Sequence, residues 1–254
     1  MNLKITHFVI FTTFGFIASC SNSTQKLTKI EAKQIPINID YTEIDSINAY
    51  IKPYRNRINN VLDSTLAYAS HKISKDDGIY NTSAGNLIAD IIQKQANPTF
   101  KSRTGKTIDF TLLNHGGIRS IISKGPVTAR TAYEVMPFEN TIVVVELNGK
   151  SVLELIQYLI DTKRAHPISG IQVILNKNNT LKTLKIKGKP FDDSKTYFVA
   201  TSNYLVSGGD NMGFFKDGLN VFELDYKIRN AMIDYFMKVD TLSPMIDKRF
   251  YKIK

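Results

Sequence analysis

The sequence predicts an α+β domain built on a mixed β-sheet with flanking helices. Three observations lead there. Helix-period and strand-period segments mix without strict alternation. Thr141–Leu147 (Thr-Ile-Val-Val-Val-Glu-Leu) is β-branched and apolar on both faces, which suits a central strand. Several segments step their apolar residues by three and four, as helices that cover a sheet do.

In chain order, Ile44, Ile47, Ile51, Tyr54, Ile58, Val61, Leu62 and Leu66 mark one face of a long helix from about residue 44 to 69. Pro53 predicts a kink or two pieces, and the apolar face reads as packing. Thr82 or Ser83 suits an N-cap, and Leu87, Ile88, Ile91 and Ile92 form the buried stripe of the next helix. Gly85 near its start suggests close passage of another segment. Pro98 to Lys106 reads as a loop. Thr107 to Leu113 alternates as a strand half-buried on one face.

Asn114-His115-Gly116-Gly117-Ile118-Arg119 follows that strand. Paired glycines let the backbone turn through positive φ and approach a ligand. Asn114 donates and accepts, and Arg119 offers a rigid fork of donors. A tight turn with a solvated arginine is the alternative reading of these six residues. His115 reads as an exposed turn histidine. Ile121 to Val127 connects to a short helix over 131–135, and Met136–Asn140 leads into the central strand.

Asn148-Gly149 turns the chain into a helix over 151–161. Gly170 opens a strand, Ile171 to Leu175, and a turn returns it as Leu181 to Ile186, whose apolar–basic alternation suits an edge. Thr196 to Thr201 is a further strand, 202–215 a glycine-rich loop, and Leu224 to Val239 an amphipathic closing helix.

The chain has 254 residues, and about 200 remain for an ordered core once the N-terminus is set aside. One domain, residues 43–254, is expected. The formal charge of +10 favours anionic partners. Lys177, Lys182, Lys185, Lys187 and Lys189 are scattered along a hairpin, however, with no basic run interleaved with aromatics, so no nucleic-acid groove is expected.

Cys20 is the only cysteine, which excludes disulfides and cysteine metal sites. Lys4 and the short apolar run Phe8–Ile17 read as a signal peptide, residues 1–19. Ile17-Ala18-Ser19-Cys20 resembles a bacterial lipobox, so Cys20 is the expected lipidation site and residues 20–42 a polar tether. Multiple acyl chains hold stably. The expected location is the cell envelope, lipid-anchored to a membrane and periplasmic or surface-exposed.

Four pieces in order carry a family resemblance: Gly85-Asn86-Leu87; Asn114-x-Gly116-Gly117-Ile118-Arg119; Pro137-Phe138-x-Asn140 before the β-rich strand; and Tyr204 through Gly208-Gly209-Asp210. Together they resemble the C-terminal domain of the 5'-nucleotidase family, from about Ile44 to the end. The resemblance implies a nucleotide or nucleoside ligand. Phe138 and Tyr204 would sandwich the base, Asn114 and Arg119 form the polar floor, and Asp210 accept from the ribose. Gly116, Gly117 and Gly170 would allow backbone approach.

Family members often carry an arginine just before the Gly-Asn-Leu piece, where this chain reads Ile79-Tyr80-Asn81-Thr82. Full-length members also have a two-metal phosphatase domain. The four histidines here, His7, His71, His115 and His166, fall in no ligand spacing. The resemblance therefore implies no catalytic residue, metal or cofactor in this chain. It implies divalent metal ions in a separate metallophosphoesterase partner, or alternatively a non-catalytic role in nucleoside capture or sensing.

Overall fold

The computed structural model describes residues 26–36, 38 and 41–253. The expected signal peptide and Cys20 lie outside them. Residues 26–36 are exposed and form neither helix nor strand. A compact unit begins at Ile51 and runs to the end of the chain.

Helix α1 covers Asp45–Leu62, continuous through Pro53, and β1 follows at Thr65–Ala69. This corrects the single helix expected to residue 69. The packing role is corrected too, because α1 has no buried residue. The body holds its polar side: Arg130 donates to Asn59 Oδ1 at 2.9 Å and to Asp63 Oδ2 at 3.1 Å.

Helix α2 spans Ser83–Thr104, with Thr82 as N-cap accepting from the Gly85 N–H. A Cβ on Gly85 would meet Pro167 Cα at 3.6 Å, the neighbour its position suggested. The loop expected at Pro98–Lys106 is instead the last two turns of α2, closed by Gly105 at φ 73°. Pro98 removes one helical donor. Fully buried Ala96 and Phe100 pin the helix on either side of it, with the Phe100 ring 5.4 Å from both Phe198 and Phe222.

β2 is Phe110–Leu112, buried throughout rather than on one face. β3 (Gly125–Thr128) and α3 (Ala129–Val135, capped by Thr128) precede β4, Thr141–Asn148. The Asn148 side chain caps α4, Gly149–Thr162. β5 (Ile168–Ser169), β6 (Ile171–Leu175), β7 (Leu181–Ile186), β8 (Lys189–Pro190) and β9 (Thr196–Ser202) follow. β7 lies between β6 and β8 and is not the edge. The glycine-rich loop contains α5, Asn203–Val206, and two 3-10 turns.

The expected closing helix at 224–239 is strand β10, Asn220–Lys227, followed by α6, Ile228–Phe236. Leu224, Ile228 and Met232 are all buried at four-residue spacing, so the helical period extends back into the strand. A register shift near Asp225, at φ 54°, separates the two elements. β11 (Thr241–Leu242) and β12 (Phe250–Lys252) complete the chain.

The strands form three mixed sheets, ordered β11-β1-β3, β10-β4-β9-β2-β5 and β12-β6-β7-β8. The five-stranded sheet separates two cores. Ile142, Val144 and Ala200 face α2 and α6, while Val143, Val145 and Val199 face α4. That explains the doubly apolar reading of β4. Each such valine or isoleucine contributes about 1.5–3 kcal/mol by leaving water.

Strand direction positions the site. β2 runs parallel to β9, and β4 runs antiparallel to β9. The end of β2, the end of β9 and the start of β4 therefore meet at one end of three adjacent strands. Those ends carry Asn114, Tyr204, and Phe138 with Asn140.

Candidate functional site: a cleft between two exposed aromatic rings

A cleft of about 270 Å³ opens at that end of the sheet, lined by Asn114, Gly116, Gly117, Arg119, Phe138, Asn140, Tyr204 and Asp210. It gathers every sequence-derived site residue of the domain except Gly170. Phe138 and Tyr204 are 41% and 42% exposed, and among the described residues neither ring touches another aromatic ring. Exposure of two large rings beside one cleft leaves π-faces available to a ligand.

Three hydrogen bonds hold Asp210. Tyr204 O–H donates to its Oδ1 at 3.0 Å, and Asn114 Nδ2 donates to its Oδ2 at 2.8 Å. Tyr158 O–H donates to its backbone carbonyl at 2.8 Å. Burial, with Asp210's charge adding to it, raises the Tyr158 pKa and keeps that donor protonated. Asp210 itself sits at φ 51°, the left-handed region that Asp and Asn tolerate best after glycine. Each carboxylate oxygen keeps acceptor capacity for a ligand hydroxyl.

Two glycines make room rather than turn the chain. Gly116 and Gly117 are not at positive φ, which corrects the sequence expectation for this pair. A Cβ on Gly117 would lie 2.9 Å from Asn114 Oδ1, so the glycine lets Asn114 fold over it towards Asp210. The Tyr204 ring similarly lies against Gly209, where a Cβ would approach ring carbons at 2.4–2.7 Å.

Arg119 is exposed, donates to the Gly116 carbonyl at 3.4 Å, and has its guanidinium carbon 5.9 Å from the Phe138 ring centroid. That is the outer limit of a cation–π contact. The fork thus stays close to the stacking ring without being locked by a carboxylate.

Gly170 stands elsewhere. It lines a separate cleft of about 390 Å³ with Asp90, Lys187, Asp247 and Arg249. Its φ of +78° and the 2.6 Å approach its Cβ would make to the Asp109 carbonyl give it a structural role against β2. His115 does not line the aromatic cleft either. It is half-buried rather than exposed, with Nδ1 3.3 Å from the Ala165 carbonyl.

Three contributors went unassigned in the sequence reading. Asn140 lines the cleft; it belonged to the quoted Pro137-Phe138-x-Asn140 piece but carried no assigned contact. Tyr158 lay on a helical stripe with nothing local to mark it. Arg229, 3% exposed, donates to the carbonyls of Pro137 at 3.2 Å and Phe138 at 3.3 Å, pairs with Glu139, and lies 4.0 Å from the Tyr133 ring centroid. It thereby fixes the segment that presents Phe138. Arg229→Met should cost about 2–3 kcal/mol of stability by stranding those carbonyls, and should weaken ligand binding as Phe138 loosens. Urea denaturation paired with ligand titration checks both effects.

Behind Asp210, His166 is 4% exposed and its Nδ1 accepts from the His115 N–H at 3.3 Å. Burial, reinforced by His115, lowers its pKa from 6.5 to about 4. The unfolded chain then binds the extra proton between those values, so stability rises with pH there. The contribution is complete above 6.5 and is lost as pH falls towards 4. His166→Gln should flatten that slope, read from denaturant midpoints at about pH 7 and about pH 5.

Among the described residues no group of three or more His, Cys, Asp or Glu is placed to hold a metal ion. Nor is any helix among them long and apolar enough to cross a membrane.

Layered sheets and helices, with two open rings and a fixed carboxylate at the strand ends, define an α+β domain with a cleft at one end of its central sheet. The family described as the 5'-nucleotidase C-terminal domain matches residues 54–217, and the chain belongs to it. Among curated relatives, Protein UshA of Escherichia coli is 29% identical over 177 residues, covering 67% of this chain and 30% of that protein. The trifunctional nucleotide phosphoesterase protein YfkN of Bacillus subtilis is 26% identical over 242 residues, covering 86% of this chain and 16% of that protein. The chain thus spans less than a third of either. The fold matches a 5'-nucleotidase precursor from Thermus thermophilus with a TM-score of 0.67 at 23% identity, over 82% of this chain and 42% of that one.

Proposed function

We propose that this chain holds the base and ribose of a nucleotide or nucleoside in the aromatic cleft. The base stacks between Phe138 and Tyr204, the ribose hydroxyls bond to Asp210, and Asn114 and Arg119 supply the polar floor. The observation that carries this reading is Asp210 itself, held at both carboxylate oxygens beside two exposed rings in one cleft. Stacking supplies roughly 1–3 kcal/mol per base with little base preference. A charge-assisted hydrogen bond supplies about 1.5–3 kcal/mol. Against an association cost of about 4–15 kcal/mol these give weak affinity for the domain alone.

Weak affinity suits a subunit whose substrate is also gripped by its phosphate. The chain accordingly serves as the nucleotide-binding subunit of a split 5'-nucleotidase. A separate metallophosphoesterase chain supplies the divalent metals and hydrolyses the phosphoester, and the product enters nucleotide catabolism. Acyl chains on Cys20 hold the domain at the cell envelope.

The test is co-purification of the tagged protein from its native cells, followed by phosphate release from AMP with divalent metal. The purified chain alone should release none, and the co-purified phosphatase should restore release. Robust hydrolysis by the chain alone contradicts the split arrangement. If no phosphatase accompanies it and calorimetry shows tight adenosine binding, the role is nucleoside capture instead.

A further inference from the structure

We infer that α1 is an interfacial helix that lies on an anionic phospholipid surface. At 100° per residue, Ile47, Ile51, Ile58, Val61 and Leu62 fall within a roughly 120° arc. Arg55 borders that arc on one side and Arg57 on the other, with Lys52 further round. Between Asp45 and Asp63 the helix contains no acidic residue. An apolar stripe edged by long cationic side chains is the pattern of a helix lying in the headgroup plane, where arginines reach phosphates while the apolar face sinks below them.

The fold turns this face outward. At the same 100° per residue, Asn59 and Asp63 stand about 100° and 140° round from Ile58, off the stripe, and Arg130 of the body holds both. Binding Arg130 lowers the Asp63 pKa, so the clasp persists at neutral pH. Ile47, Ile58 and Val61 are 53%, 55% and 65% exposed. Burying them in the body would require the polar side to face solvent and the Arg130 clasp to open. The occupant is assigned by charge: the cations stand at both borders of the stripe, where a bilayer presents phosphates on both sides of an embedded helix. A protein groove would need acidic rims on both sides to match them.

The sequence contains no tryptophan, so a single introduced one reports its own position. Ile58→Trp places it on the stripe and Asn56→Trp on the polar side. Each full-length variant is mixed with vesicles of phosphatidylcholine and about one-third phosphatidylglycerol, with and without brominated acyl chains. The expected result is a blue-shifted, bromine-quenched emission for Ile58→Trp and neither change for Asn56→Trp. Position-specific quenching separates α1 from any other lipid-binding segment of the chain. Arg55→Glu with Arg57→Glu should reduce the Ile58→Trp response at least about tenfold in apparent affinity. Unquenched Ile58→Trp on vesicle-bound protein overturns the inference. So does a blue shift without vesicles that grows with protein concentration, which would mean a second copy covers the face. Unchanged urea midpoints in both variants show that the fold is intact.

Discussion

Replacing Phe138 by alanine weakens binding of AMP and of UMP by the same factor, between about fivefold and a hundredfold. The equality matters as much as the size. A ring face attracts every base, so its loss removes affinity without changing preference. Phe138 is 41% exposed and stands outside both hydrophobic cores, so the variant should keep its stability. Phe138→Tyr should bind nearly as the parent does, because the π-face survives. Tyr204→Phe separates two roles: it keeps the second ring but removes the donor to Asp210 Oδ1. It should therefore lose less than Tyr204→Ala. Titration calorimetry with both nucleotides reads all four variants. A loss confined to one base would assign Phe138 an edge contact rather than a stack.

Asp210→Asn produces the second large effect. Asparagine fits φ 51° as well as aspartate does, so the backbone stays while the charge goes. Losing a charge-assisted acceptor costs about 1.5–3 kcal/mol, or roughly ten- to a hundredfold in affinity for adenosine. For 2′,3′-dideoxyadenosine the same substitution should change little, since no ribose hydroxyl is there to donate. The parent thus discriminates between the two nucleosides and the variant does not. Competition binding at neutral pH measures the ratio directly. Equal losses for both would mean that Asp210 acts by holding Tyr204 and Asn114 in place.

The lining of the cleft was more legible in the sequence than the fold around it. Asn114 and Arg119 stand out locally, beside paired glycines after a strand, whereas Phe138, Tyr204 and Asp210 could be named only through the family resemblance; the structure brings all five to one cleft. Asn140 sat in one of the resembling pieces too. Tyr158 and Arg229 could not be named, because each acts on a residue far away in sequence and looks locally like part of a helix. Gly170 was misplaced for the opposite reason. The resemblance implied backbone approach to a ligand there, whereas the structure puts it at positive φ, tight against the start of β2 and away from the aromatic cleft.

Among the elements, the strongest apolar patterns held. β4 and α2 were readable because burial on the cores of the five-stranded sheet imposes their periods. Where tertiary contact overrides local pattern, the sequence misleads. Pro98 lies inside a helix because Phe100 and Ala96 anchor it. Leu224 shares a helical spacing with Ile228 although a register shift at Asp225 divides strand from helix. The stripe on α1 was real, yet it faces away from the core, since the clasp from Arg130 takes the polar side. Periodicity reports that a face is apolar and does not report what covers it.

The reading of the cleft can be tested at atomic range. Adenosine at saturating concentration, observed by NMR, should give intermolecular nuclear Overhauser contacts from the adenine protons to the Phe138 ring and the Tyr204 ring at once. Contacts to residues around Arg249 in place of those two rings, or to neither ring at millimolar adenosine, would contradict it.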